Sequence, residues 1–133
     1  MWEIYNNFVD LGLPSGTIWA KYNLGVDPNK LDSAKNWYGK LYAWGEIEPK
    51  DTYGWRVYKF GPETNLFKYN NKDRLTDLQL EDDAAYNINH HWRIPTNEQF
   101  HELLEYTINK WTENYKNIKG LNGRIFKSKI NGE

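Results

Sequence analysis

There is no cysteine among the 133 residues. That excludes disulfides, thiolate metal sites and a cysteine nucleophile. No apolar run approaches the roughly 18 residues that a membrane-spanning helix needs. An excess of charge of one sign is also lacking. The 17 basic and 18 acidic residues leave a net charge of −1, and no Lys/Arg run stands out, so a nucleic-acid interface has no electrostatic basis in the chain as a whole. The start, Met1-Trp2-Glu3-Ile4-Tyr5-Asn6, has neither the basic region nor the apolar stretch of a secretory signal. The protein is expected to stay inside the cell that makes it, or to have had an export signal removed, and its location stays open. No glycine-rich phosphate loop occurs, and Ser15, Ser33 and Ser128 lie outside any nucleophile-elbow context.

What the chain has is aromatic residues: 7 Trp, 10 Tyr and 5 Phe, 17% of the total, in a sequence only 39% apolar with a mean hydropathy of −0.90. A chain of this length suits one domain, 1–133, and its core is expected to lean on aromatics, each of which buries about 150–250 Å². Trp and Tyr also carry polar atoms that need partners inside, so some of the rings belong at the surface.

Residues 8–12 alternate as a half-buried strand does, Pro14-Ser15-Gly16 reads as a turn, and Thr17 to Tyr22 resumes a β-like run, which together predict a hairpin. Leu31, Ala34, Trp37 and Tyr38 predict one short amphipathic helix over 28–38, interrupted by Gly39. Leu41–Trp44 reads as a helical turn or a short buried strand. Residues 47–79 hold Tyr53, Trp55, Tyr58, Phe60, Phe67 and Tyr69 among Gly, Pro, Asn and Lys. A loop of this length is usually functional or disordered, and its aromatics argue against disorder. A short helix is expected over 80–88. Thr96-Asn97-Glu98-Gln99 is a capping box, and Phe100, Leu103, Leu104, Ile108 and Trp111 follow at helical spacing, predicting a helix over 97–109. The tail from Lys116 to Ile130 reads as strands joined by an Asn-Gly turn at Asn122-Gly123.

Three stretches carry a resemblance. They are Val9-Asp10-Leu11-Gly12-Leu13-Pro14-Ser15-Gly16-Thr17-Ile18-Trp19-Ala20, Tyr42-Ala43-Trp44-Gly45-Glu46, and Asp82-Asp83-Ala84-Ala85 leading to Trp92-Arg93-Ile94-Pro95-Thr96. In this order, over roughly residues 9–130, they resemble the Fibrobacter succinogenes major paralogous domain family, common in Bacteroidetes-type bacteria and their phages. The Trp92–Thr96 segment is also similar to the helix start of formylglycine-generating-enzyme-like domains. The resemblance implies an α+β, C-type-lectin-like fold: a twisted antiparallel sheet, two helices and long irregular loops. It does not imply the enzyme's activity, whose chemistry needs cysteines. Family members usually continue past the segment matching Ser128–Gly132, so this chain is expected to be a fragment or a shortened relative. A strand left unpaired near 123–130 would invite a neighbouring chain, or a second copy in a homo-oligomer, by strand addition.

Candidate ligand-binding residues are Trp44, Glu46, Tyr53, Trp55 and Tyr58. An indole face suits the C–H surface of a sugar or peptide, and a carboxylate accepts hydroxyl or amide protons. The plainer reading makes Trp44 core and Glu46 the end of an element. His90-His91 lacks a third ligand at metal spacing. Glu81, Asp82 and Asp83 could supply oxygens to Ca²⁺, as many lectin-like folds do, but acids beside a helix start need no metal to explain them. No metal and no cofactor is therefore assigned. Arg93 is expected to pair with Asp82 or Asp83. Glu46 and Glu48 do not by themselves signal glycoside hydrolysis. The expectation is a non-catalytic module of bacterial or phage origin that binds a glycan or protein through aromatic loops. The alternative is a structural subunit of a phage virion, with the aromatics at an inter-subunit interface. In either case Trp19, Trp44 and Trp92 are expected to be buried.

Overall fold

The computed structural model describes residues 7–133. They gather into two compact units, residues 7–40 with 95–133, and residues 41–94. The described residues form a small mixed fold with few helices and two small antiparallel sheets. Among the described residues no helix is long and apolar enough to cross a membrane.

In the first unit the expected hairpin forms as a minimal pair, β1 (Phe8–Val9) and β2 (Trp19–Ala20), in the register Phe8↔Ala20 and Val9↔Trp19. Its turn closes where expected, with Gly16 N donating to Leu13 O at 2.9 Å. The helix predicted over 28–38 shrinks to α1 (Ala34–Trp37). Asp27 explains the loss of the start: its side chain accepts from Asn29 N and its carbonyl from Lys30 N, which closes a local turn before the helix. Gly39 ends α1 at φ +73, where a Cβ would collide with the Leu24 carbonyl oxygen.

The capping box at Thr96 is complete, with Gln99 N donating to Thr96 Oγ1 and Thr96 N to Gln99 Oε1. The helix it opens, which we number α3, runs Asn97–Tyr106 and not to 109. Thr107, 2% exposed, turns its hydroxyl back to the Leu103 carbonyl at 2.5 Å and begins β3 (Thr107–Thr112). Ile108 and Trp111 therefore sit on a strand. Its antiparallel partner is β4 (Gly123–Ser128), in register from Thr107↔Ser128 to Thr112↔Gly123. The tail thus supplies one strand instead of two, and the connection is a longer loop. Asn114, Lys116 and Asn117 have positive φ there, and Asn122 Oδ1 accepts from Asn114 N.

The core of this unit is aliphatic: Leu11, Leu13 and Leu103, with Val9, Trp19, Tyr106 and Phe126 packed around them. Fully burying one such leucine contributes about 1.5–3 kcal/mol. Ser128 ties the two chain ends together by donating to Leu11 O at 2.6 Å while accepting from Ile130 N. Ser15 ties the hairpin turn to α3 through both oxygens of Glu102.

The second unit is mostly irregular. Leu41–Trp44 is neither helix nor strand. A 3₁₀ turn spans Trp55–Val57, and the segment expected as one helix over 80–88 divides into a 3₁₀ turn (Leu80–Asp82) and α2 (Ala84–Ile88). The long loop is packed by its own polar side chains. Asp73 accepts from the backbone N–H groups of Tyr69, Asn70 and Leu75. Phe60, Ala84 and Ala85 are its buried apolar residues.

The indole expectation needs correcting. Trp44 is 48% exposed, and Trp19 and Trp92 are only half-buried. Phe100 and Trp111, two of the residues at helical spacing, are exposed as well. Short leucines fill the small core of the first unit, and that unit's own larger rings lie over it or outside it.

Candidate functional site

The second unit holds a cleft of about 570 Å³, lined chiefly by Trp44, Trp55, Tyr58, Tyr69, Lys50 and Lys68. That volume falls within the usual range for small-molecule sites. Local backbone features put the rings there. A turn closed by Glu46 N to Ala43 O, with Gly45 at φ +77, carries Trp44. A Cβ on Gly45 would lie 2.8 Å from the Phe60 ring, so glycine is needed for the close approach as well as for the φ. Gly54, closed onto Val57 N, opens the 3₁₀ turn that carries Trp55.

The rings form one edge-to-face chain. Trp55 meets Tyr58 at 5.5 Å, Tyr58 meets Phe60 at 5.7 Å, Phe60 meets Tyr69 at 5.5 Å, and Tyr69 meets Trp44 at 4.5 Å between centroids. Such contacts are worth about 0.5–1.5 kcal/mol each beyond area burial. Phe60, 7% exposed, anchors the middle, while Trp44 and Trp55 at the ends are 48% and 50% exposed. The tyrosine hydroxyls are committed inward. Tyr58 donates to Trp44 O at 2.9 Å, and Tyr69 donates to Asp82 at 2.7 Å while accepting from Gln79 N.

Carboxylates and lysines alternate around this chain of rings. Asp82, 3% exposed, accepts from Lys68 at 2.6 Å, Tyr69 at 2.7 Å and Lys59 at 3.3 Å. Burial alone would raise its pKa, but these hydrogen bonds outweigh burial and hold the carboxyl below its usual range. Lys68 bonds Asp82 and Glu81, which lifts its ammonium well above the ordinary value. Burial raises the phenols of Tyr58 and Tyr69. Glu46 and Asp82 add to the effect on Tyr58, and the hydrogen bond to Asp82 adds to that on Tyr69.

Of the five residues singled out in the sequence, Trp44, Trp55 and Tyr58 come together in the cleft. Tyr53 does not line it; its hydroxyl donates to Leu41 O and accepts from Lys50 N. Glu46 is 5% exposed and ties the loop from within, with Oε1 accepting from Lys59 N at 2.6 Å and from Lys50 Nζ at 2.7 Å. Tyr69, Lys50 and Lys68 were not singled out as site residues. Tyr69 stood among the loop aromatics, but no local pattern marks a lysine whose partners lie 13 and 14 residues away.

The acidic cluster is structural. Asp83 caps α2 by accepting from Tyr86 N and also holds Ile94 N, both at 3.0 Å. Arg93 pairs with neither Asp82 nor Asp83, contrary to expectation: both carboxylates are filled by other donors. Arg93 instead donates to the carbonyls of His90 and Trp92 and lies 4.2 Å from the centre of the Tyr86 ring, on which His90 also stacks. Among the described residues no group of three His, Cys, Asp or Glu side chains is placed to hold a metal ion. Comparison of the chain with protein-family models, with curated proteins and with solved structures finds no match.

Proposed function

We propose that the protein is a non-catalytic binding module that takes a glycan or a protein segment in the Trp44/Trp55 cleft. One observation carries the reading: two half-exposed indoles stand at the ends of a ring chain anchored on buried Phe60. Anchored rings lose little freedom on binding, so the contact area they offer converts efficiently into affinity. The lectin-like form of the fold belongs to the same proposal. Its supports are the capped helix start at Thr96 and the long loops. The test is a screen against a glycan array and a peptide library, followed by titration of the hits with Trp44→Ala and Trp55→Ala. The expected result is a ligand whose binding both substitutions abolish. A ligand bound equally well by the double variant would refute the assignment of the site.

A second reading, an assembly subunit such as a virion component, draws on the first unit. The β3–β4 ribbon has only two strands, and no third strand pairs with either among the described residues. The register places Ile108 and Ile125 on one face, 62% and 39% exposed. Open edges beside exposed isoleucines suit strand addition by a neighbouring chain. Light scattering should then show an oligomer that Ile108→Lys dissociates; a monomer at high concentration would refute this reading.

A further inference from the structure

We infer that the occupant of the Trp44/Trp55 cleft is an uncharged glycan, an inference that rests on the binding-module reading above. The argument is one of charge and free hydrogen-bonding capacity. Lys50 and Lys68 reach the cleft, which at first suggests an anionic ligand. Neither cation is free. Lys50 is held by Glu46 and the Val57 carbonyl, and Lys68 by Asp82 and Glu81. With Lys59 on Asp82, three lysines face three carboxylates, Glu46, Glu81 and Asp82, so the network is neutral in itself. The Lys50 and Lys68 ammonium groups each keep one N–H, but their charge is already matched, so an acidic ligand would bring an unmatched negative charge beside buried Glu46 or Asp82.

A cationic ligand fits no better, although four rings could in principle cage one. Of the rings that line the cleft, Tyr69 already carries an ammonium group, and so does Phe60, the buried ring that anchors the chain. Lys68 lies 5.4 Å from the centre of Tyr69 and 5.8 Å from that of Phe60, and Lys59 lies 5.0 Å from Phe60. A further cation would meet these lysines at short range.

What remains available is neutral. Among the described residues nothing bonds to the indole N–H of Trp44 or Trp55, or to the Thr76 hydroxyl, and all three residues are exposed. These are isolated donors beside flat apolar faces. An uncharged sugar ring offers a C–H face for stacking and hydroxyl and ring oxygens as acceptors for such donors.

The experiment uses the intact chain and reads binding by calorimetry and by tryptophan fluorescence. The probes are a panel of neutral oligosaccharides of varied linkage, an oligogalacturonate, and a trimethyllysine peptide. The expected result is that a neutral member binds, that its affinity changes less than about two-fold between low and high salt, and that the charged probes bind at least about ten-fold more weakly. Trp44→Ala and Trp55→Ala should each lose at least about ten-fold, while Trp44→Phe, which keeps a stacking face but not the indole donor, should lose less than Trp44→Ala. Tighter, salt-sensitive binding of the galacturonate, or binding of the trimethyllysine or another peptide in place of any sugar, would overturn the uncharged-glycan assignment while leaving a binding module at the same indoles. No binding by any member of the neutral panel would overturn the assignment as well. Binding of a neutral glycan that survives both alanine substitutions would overturn the site itself.

Discussion

Asp82 should be the most costly polar side chain to remove from the second unit. It is 3% exposed, and its three donors differ in weight. The Tyr69 hydroxyl, at 2.7 Å, loses its acceptor outright on Asp82→Ala; a hydrogen bond to a charged group contributes about 1.5–3 kcal/mol. Lys68, at 2.6 Å, keeps Glu81 after the substitution, so its share is smaller, about 1 kcal/mol. The Lys59 side chain is 48% exposed and 3.3 Å away, and solvent reduces its share to about 0.5 kcal/mol or less. Relief of the buried charge offsets part of the sum, which leaves about 3 kcal/mol, or a fall of roughly 10 °C in melting temperature. Asp82→Asn should cost less. The pH dependence has a definite sign. The folded pKa lies below the usual carboxylate value, so the contribution of the carboxylate is complete above about pH 4 and is lost as pH falls through the lowered value. The stability gap between wild type and Asp82→Asn, measured by denaturant titration at a series of pH values, should be flat between about pH 5 and 8 and close in acid. A gap below about 0.5 kcal/mol, or one that widens in acid, would refute the reasoning.

Three further expectations follow from the same geometry. Tyr42, Tyr58, Tyr69 and Lys68 all have raised folded values, so what they contribute is complete below about pH 10 and is lost as pH climbs through those values. Phenolate absorbance followed beside circular dichroism should show a group of tyrosines ionising only as structure is lost, and ionisation of every tyrosine in an intact fold would contradict this. Leu103→Ala should cost about 2–5 kcal/mol by thermal melting, because Leu103 is 5% exposed at the centre of the aliphatic core. Gly39→Ala and Gly16→Ala both force a left-handed backbone on alanine, at about 1–2 kcal/mol each. Only Gly39 also meets a carbonyl oxygen, so its variant should melt clearly lower, and equal melting temperatures would show that the collision is relieved.

Features encoded within a few residues were legible in the sequence. The Thr96 box joins residues three apart, and the Gly16 turn closes on Leu13, so neither needs information from elsewhere. The end of that helix was not legible. Ile108 and Trp111 continue the helical spacing of Phe100 and Leu104, and periodicity alone carries the helix past its true end at Tyr106. What stops it is a strand partner about twenty residues further on, Ser128 opposite Thr107, together with a hydroxyl that turns back to Leu103. The short α1 failed for a neighbouring reason: Asp27 satisfied its own turn, and Trp37 spent its indole N–H on Leu31 O.

The candidate site divides along the same line. Trp44, Trp55 and Tyr58 could be singled out from composition, since rings in a polar loop must either pack together or meet a ligand. Their exposure reversed the expected division of labour: the core went to Leu11, Leu13 and Leu103, and the indoles stayed out. Fully enclosing an indole requires a partner for its N–H, and Trp19 shows the difficulty, with Nε1 buried and unpaired among the described residues. Glu46 was read from the sequence as a ligand acceptor because it follows Trp44 closely. Its role depends instead on Lys50, four residues on, and on the Lys59 N–H, 13 residues on, which reaches it only after the loop has folded. The same pairing is what empties the cleft of free charge. On the proposed reading, a carboxylate chosen from the sequence as a binding group would act on a ligand indirectly, by holding Lys50, and the direct contacts would pass to the indoles. Substituting Glu46 should accordingly change which charges the cleft tolerates before it changes whether the rings bind.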